Sequence, residues 1–331
     1  METASQPAKA SDPTARAMLA RGVALQLDGD LEGACREYEA ALAAEPQSAV
    51  AWNNLGFART QQGRLDEAVD CYERALQIDP SRSMAHANLA LVLATRGDVR
   101  AAVERLQHAV ELDPRNTLAA ANLGRLLLAC GELHSAEQAF RFALQTAPAD
   151  AGLRIALGQV LIARARPREA ANELRRAIDL EPNNAKAWDQ LGLALLISQD
   201  LGSACDTLRR ALAIAPEDCS ARHHLATALL ARGDRLGAEQ ELQRLLIISP
   251  RYAPALTDLA VLALDAGAPR NALDFLDKVG TDDARANYYR ALALQRLGET
   301  DAALTLLEQI ARGTNGRYAG LAKQQLARTQ E

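Results

Sequence analysis

Three asparagines, Asn54, Asn88 and Asn122, stand 34 residues apart. A carboxamide offers two N–H donors and a carbonyl acceptor. A row of them suits pairing with the backbone of an extended peptide, whatever its side chains. Asn53 adds a fourth amide beside the row, and Arg125, Gln159 and Gln190 extend the polar line. The other chemically able residues are scattered. The histidines are His86, His108, His134, His223 and His224. The adjacent pair points about 100° apart on a helix and cannot chelate one metal as it stands. The cysteines, Cys35, Cys71, Cys130, Cys205 and Cys219, form no C-x-x-C pair. That excludes a zinc ribbon and argues against a disulfide framework. No H-E-x-x-H, phosphate loop, dinucleotide fingerprint or G-x-S-x-G elbow occurs. The chain reads as no enzyme, with no metal and no cofactor expected.

The elements that must carry these residues are set by a repeat. Pro46, Pro80, Pro114, Pro148, Pro182, Pro216 and Pro250 recur every 34 residues. Twelve residues before each lies an alanine: Ala34, Ala68, Ala102, Ala136, Ala170, Ala204 and Ala238. Within each interval two apolar patterns of helical period appear. In residues 49–82, Trp52, Leu55, Gly56 and Arg59 lie on a first helix and Ala68, Tyr72 and Ala75 on a second. The small residues let the two helices approach. Gly63 suits the turn, where a helix end needs φ > 0. Acids at Asp66 and Glu67 suit the start of the second helix, and Pro80 closes the interval.

The pattern Trp52-x2-Leu55-Gly56, Ala68-x3-Tyr72, repeated as Trp188-x2-Leu191-Gly192, Ala204-x3-Leu208 and as Ala136-x3-Phe140, resembles the tetratricopeptide repeat (TPR) family. The resemblance spans residues 15 to about 317. It implies an all-α fold, an α-solenoid of stacked helix-turn-helix units wound into a right-handed superhelix. Nine tandem repeats parse as 15–48, 49–82, 83–116, 117–150, 151–184, 185–218, 219–252, 253–283 and 284–317. The eighth is three residues short and has Gly280-Thr281-Asp282-Asp283 in place of the closing proline. Ala165 and Gln199 replace the turn glycine in the fifth and sixth. Pro167 and Pro269 fall where a second helix begins, a place that tolerates proline. Residues 1–14 read as a flexible segment. Residues 318–331 read as a capping helix, with Tyr318, Leu321, Ala322 and Leu326 on one stripe.

The resemblance implies a binding groove lined by the second, fifth, sixth, ninth, twelfth and thirteenth residues of each first helix. Asn54, Asn88 and Asn122 occupy the sixth place in three successive repeats, followed by Ala156, Gln190, His224 and Asp258. The row is similar to the asparagine ladder in the repeat superhelix of O-GlcNAc transferases. The same amides also fit an ordinary repeat consensus, facing solvent or the next helix, and sequence leaves both readings open. The two-carboxylate clamp of chaperone-tail receptors is not supported, because its Lys-Asn and Lys-Arg pairs are missing. Arg164, Arg166, Arg168, Arg175 and Arg176 fit either an acidic partner or a solvated face laced with Glu169 and Glu173. Tyr288 and Tyr289, with Arg285, Gln295 and Arg296 nearby, fit either a peptide anchor or packing against the cap.

Composition agrees with a repeat array. Of 331 residues, 49% are hydrophobic but only 4% aromatic, so the bulk is Ala and Leu. A net charge of −5 gives no general attraction to nucleic acid or anionic lipid. No apolar run nears the roughly 20 residues of a membrane span, and Met1–Ala15 lacks the form of a secretion signal. The expected protein is a cytoplasmic scaffold that binds a peptide segment of a partner protein in its groove, without nucleic acid or membrane insertion. The alternative is a structural protein acting through self-association, so a homo-oligomer stays open. Arg21, where an apolar residue is expected, argues mildly against end-to-end stacking.

Overall fold

The computed structural model describes residues 13–313 and 316–329. Every regular element among them is a helix. The helices run in pairs: α1 (Pro13–Leu27) with α2 (Leu31–Ala44), α3 (Ala49–Gln61) with α4 (Leu65–Ile78), α5 (Ser83–Thr95) with α6 (Val99–Leu112), and α7 (Thr117–Ala129) with α8 (Leu133–Thr146). They continue through α9 (Ala151–Ala163), α10 (Pro167–Leu180), α11 (Ala185–Ile197), α12 (Leu201–Ile214), α13 (Cys219–Ala231) and α14 (Arg235–Ile248). The last are α15 (Ala253–Asp265), α16 (Pro269–Leu276), α17 (Ala284–Leu297), α18 (Thr300–Arg312) and α19 (Arg317–Thr329). Residues 1–12 of the expected flexible segment lie outside the described residues, and Pro13 and Thr14 already belong to α1. No helix among the described residues is long and apolar enough to cross a membrane.

Local chemistry starts and stops each helix. The side chains of Ser48, Asn116, Asp150 and Asn184 accept the first free N–H groups of α3, α7, α9 and α11. Pro167 and Pro269 open α10 and α16. The turn between paired helices passes through the left-handed region, at Gly63 with φ 77° for example. Ala165 and Gln199 occupy that conformation without being glycine, at φ 56° and 63°.

Packing within a pair depends on small residues. Ala34, Ala68, Ala102, Ala136, Ala170, Ala204 and Ala238 are fully buried. A methyl group added at Gly56 would lie 2.8 Å from the Tyr72 ring, and one at Gly124 would lie 2.8 Å from Phe140. The large side chain on the second helix therefore sits directly over the glycine of the first.

The chain divides into two compact units at Ala165/Arg166. In the N-terminal unit each first helix touches the next: α1 on α3, α3 on α5, α5 on α7 and α7 on α9. Second helices make no comparable contact with one another among the described residues. The first helices thus form a continuous layer with one free face. In the C-terminal unit α11 touches α13, and α15 touches α17. There α19 covers the last pair: Leu307, Ile310 and Ala322 are buried together, with Tyr288, Tyr318 and Leu326 packed against them.

Candidate peptide-binding face

The layer of first helices places the amides predicted from sequence. Asn53 and Asn54 lie on α3, Asn88 on α5 and Asn122 on α7. Asn54 and Asn88 are half-buried, while Asn53 and Asn122 are nearly covered. Asn88 Nδ2 donates to Asn53 Oδ1 at 3.1 Å, and Asn53 Nδ2 donates to Asn54 Oδ1 at 3.3 Å. Three of the amides are therefore one connected group bridging two repeats. Asn122 stands apart from it, its Oδ1 accepting from the exposed Arg125 guanidinium at 2.6 Å. Gln159 is half-buried on α9. Gln190 lies in the C-terminal unit on α11, where its Nε2 donates to Asp189 Oδ2 at 2.9 Å.

The Asn53–Asn88 bond has counterparts in the C-terminal unit. His224 Nδ1 meets Asp189 Oδ1 at 2.7 Å, and His223 Nε2 meets Asp258 Oδ2 at 2.8 Å. Each pair is 35 residues apart, the fifth place of one first helix reaching the sixth place of the next. Sequence reasoning noted Asn53 beside the sixth-place row but did not link the fifth and sixth places, and so missed Asp189 and the roles of His223 and Asp258. Comparing the fifth and sixth places at an offset of 35 would have found them.

Around Asp258 the groups form a second polar site. Arg285 also pairs with Asp258, and His223, Thr227, Asp258, Val261 and Arg285 line a cavity of about 630 Å³. Burial opposes ionisation of Asp258. The His223 hydrogen bond and the Arg285 charge outweigh it and hold the carboxyl below its ordinary value. The adjacent histidines thus face different aspartates rather than a common ligand. Among the described residues no group of three or more His, Cys, Asp or Glu gathers to hold a metal. The cysteines are free, and burial pushes the Cys71 thiol up to about 11.

In the other two clusters most of the named side chains have partners within the protein, while Arg168, Arg175 and Arg176 are exposed. Arg164 pairs with the buried Glu137, Arg166 with Glu169 at 2.6 Å, and Arg176 with Glu173 at 2.9 Å. Tyr288 and Tyr289 lie with ring centroids 5.8 and 6.3 Å from that of Tyr318 on α19. Arg285 is bound to Asp258, Arg296 donates to the Leu264 carbonyl, and Gln325 Nε2 donates to Gln295 Oε1 at 3.0 Å.

Comparison with curated proteins finds no significant sequence match. Among solved structures, the C-terminal part of a TPR repeat-containing protein from Cytophaga hutchinsonii is 17% identical with a TM-score of 0.58. That match covers 72% of this chain and 97% of the other. PilF of Pseudomonas aeruginosa is 22% identical with a TM-score of 0.54, covering 62% of this chain and 94% of its own. The APC/C hetero-tetramer Cut9-Hcn1 is 14% identical with a TM-score of 0.56, over 88% of this chain and 55% of that one. At these identities the likeness is one of fold. Family models described as tetratricopeptide repeat match residues 15–40 and 284–309, 49–82, 93–141 and 155–218. With the paired helices, the buried alanines and the left-handed turns, these matches show that the chain belongs to the tetratricopeptide repeat family.

Proposed function

We propose that this protein is a non-catalytic scaffold whose first-helix face holds an extended segment of a partner protein. Asn54, Asn88 and Asn122 bind the segment's backbone, with Asn53, Arg125 and Gln159 as supporting polar groups. The observation that carries this reading is the unused amide capacity. Asn54 Nδ2, Asn122 Nδ2 and Asn88 Oδ1 have no protein partner among the described hydrogen bonds. Partly or largely buried amide groups of this kind gain most from an extended backbone, which brings unpaired N–H and C=O groups of its own.

The test is affinity capture from the source lysate, read by mass spectrometry, with wild type and a folded Asn54/Asn88/Asn122→Ala variant. A protein retained by wild type and lost by the variant supports the reading. Each lost hydrogen bond is worth about 0.5–1.5 kcal/mol, so the triple change weakens binding about 100-fold. Equal retention by both overturns it. Light scattering of the protein alone, over a range of concentrations, separates this from self-association.

A further inference from the structure

The amide row does not stand alone on its face. Residues at i, i+4 and i+7 share one stripe of a helix. On α3 that stripe is Val50, Asn54 and Phe57; on α5 it is Met84, Asn88 and Leu91; on α7 it is Leu118, Asn122 and Arg125. The apolar members are unusually open. Val50, Phe57, Met84, Leu91 and Leu118 are all between 41% and 54% exposed. Three neighbouring helices therefore repeat one motif, an amide flanked on both sides by an exposed apolar side chain. At the last of the three an arginine takes one apolar place. Exposed apolar side chains repeated at matching places on successive, touching helices offer a partner an apolar surface.

The charge on this layer is one-sided. The segments α1, α3, α5, α7 and α9 contain no Asp or Glu, although the chain as a whole carries a charge of −5. Among the described residues the carboxylates of the N-terminal unit lie on the second helices and in the turns. They take up Arg21 through Glu37, and Arg59 through Glu39 and Glu67. Arg125 has no carboxylate partner among the described residues; its described bond is to the neutral Asn122 amide.

We infer that this face binds an apolar segment about six residues long carrying a carboxylate at the end that reaches α7. This rests on the reading that the first-helix face holds a partner segment, and it assigns that segment's chemistry. The occupant is extended rather than helical, because a helix has already spent its backbone groups internally and offers nothing to the amide row. A strand running along the row sends alternate side chains to opposite sides. One side meets Val50, Met84 and Leu118; the other meets Phe57, Leu91 and Arg125. Both sets are apolar up to α7, so the segment is a continuous apolar run rather than an alternating one. Packed helices stand about 8–10 Å apart and a strand rises about 3.3 Å per residue, which sets the length of about six. Arg125 selects the terminal carboxylate, and its planar donors suit that group.

The test uses the full chain and fluorescein-tagged six-residue peptides blocked at both ends, followed by fluorescence anisotropy. One pair has five Leu or Val residues and a single Asp, at either end. A second pair has Lys for the Asp, and a third has Ser for every apolar residue. The expected result is that an Asp peptide binds about 10-fold tighter than its Lys counterpart and that the Ser peptides do not bind. Phe57→Gln with Leu91→Gln weakens the Asp peptide by about 10-fold, and Arg125→Glu reverses the Asp-over-Lys order. These side chains are exposed, so the variants keep the wild-type circular dichroism. Equal binding of Asp and Lys peptides, or an order unchanged by Arg125→Glu, overturns the assignment. If no peptide binds but the asparagine triple variant still loses its captured partner, this inference falls and the proposed function stands. If neither peptide nor partner is bound, both fall. A concentration-dependent dimer in sedimentation, abolished by Phe57→Gln with Leu91→Gln, makes a second copy the occupant and also overturns it.

Discussion

Trp52 Nε1 donates to the Pro46 carbonyl at 3.0 Å, and Trp188 Nε1 to the Pro182 carbonyl at 2.8 Å. The fourth place of a first helix thus closes the carbonyl six residues earlier. His86 fills the same role against Pro80, its Nε2 at 3.0 Å from the carbonyl oxygen. The consensus tryptophan is one solution to a general need for an N–H donor at this point. The histidine has a cost, because its Nδ1 is buried without a partner. Burial pushes the His86 pKa below its ordinary value of 6.5, against the opposing pull of the Pro80 carbonyl. The unfolded chain therefore takes up the proton first as pH falls. Stability is full above 6.5 and declines as pH falls from there toward the depressed value. His86→Gln keeps a donor and does not titrate. Melting curves between pH 7.5 and 5.5 should show a smaller acid-side loss in the variant than in wild type; parallel losses would remove His86 as the cause. A second residue-scale prediction concerns the left-handed turns. Ala165 and Gln199 carry a Cβ at φ 56° and 63°, where the other described repeat turns use glycine. Gln199→Gly should raise stability by about 0.5–1 kcal/mol in urea titration, relief of backbone strain exceeding the entropy glycine adds to the unfolded chain.

A repeat holds together as an element when its two helices come close. The approach is set by glycine on the first helix and a large residue on the second, as in Gly56 under Tyr72 and Gly124 under Phe140. A Cβ 2.8 Å from the Phe140 ring cannot be accommodated without moving the pair apart. Phe140 is fully buried and its ring has nowhere else to go. Gly124→Ala should therefore cost about 1–3 kcal/mol despite alanine's better helix propensity. A stabilising result in urea titration would show that the two helices are free to separate. The offset of 35 between bonded places joins one repeat to the next. Asn53–Asn88, Asp189–His224 and His223–Asp258 use an amide pair and two acid–imidazole pairs for one geometric task.

At the scale of the whole molecule, a stack in which each repeat touches only its neighbours distributes stability locally. The last pair is covered by α19, through Tyr318, Ala322 and Leu326. Removing residues 317–331 uncovers Leu307 and Ile310. The loss is about 1.5–3 kcal/mol for each large apolar side chain exposed, and it should fall on α17 and α18. Hydrogen exchange should show faster opening there and unchanged protection in α1–α9. Uniform loss of protection would mean that the chain unfolds as one cooperative body.

Sequence alone determined what depends on spacing along the chain. The 34-residue recurrence of Pro46 to Pro250 and of Ala34 to Ala238 set the helix period, the turns and the buried small residues. Each follows from local backbone preference or from a position that must be small in every repeat. It also put Asn54, Asn88 and Asn122 at one repeat position, and so marked the candidate face. Only the tertiary structure decided how those amides are used. Asn88 reaches Asn53 across adjacent first helices, while Asn122 has Ala87, with no polar group, at the corresponding place and turns to Arg125 instead. The tertiary structure also supplies partners that lie far away in sequence, such as Tyr318 on a later helix beside Tyr288 and Tyr289, and Glu137 on an earlier helix paired with Arg164. The apolar rows beside the amides escaped the sequence reading for the opposite reason. Valine, leucine and phenylalanine in a helix ordinarily signal core, and only packed coordinates show which of them the stack leaves exposed.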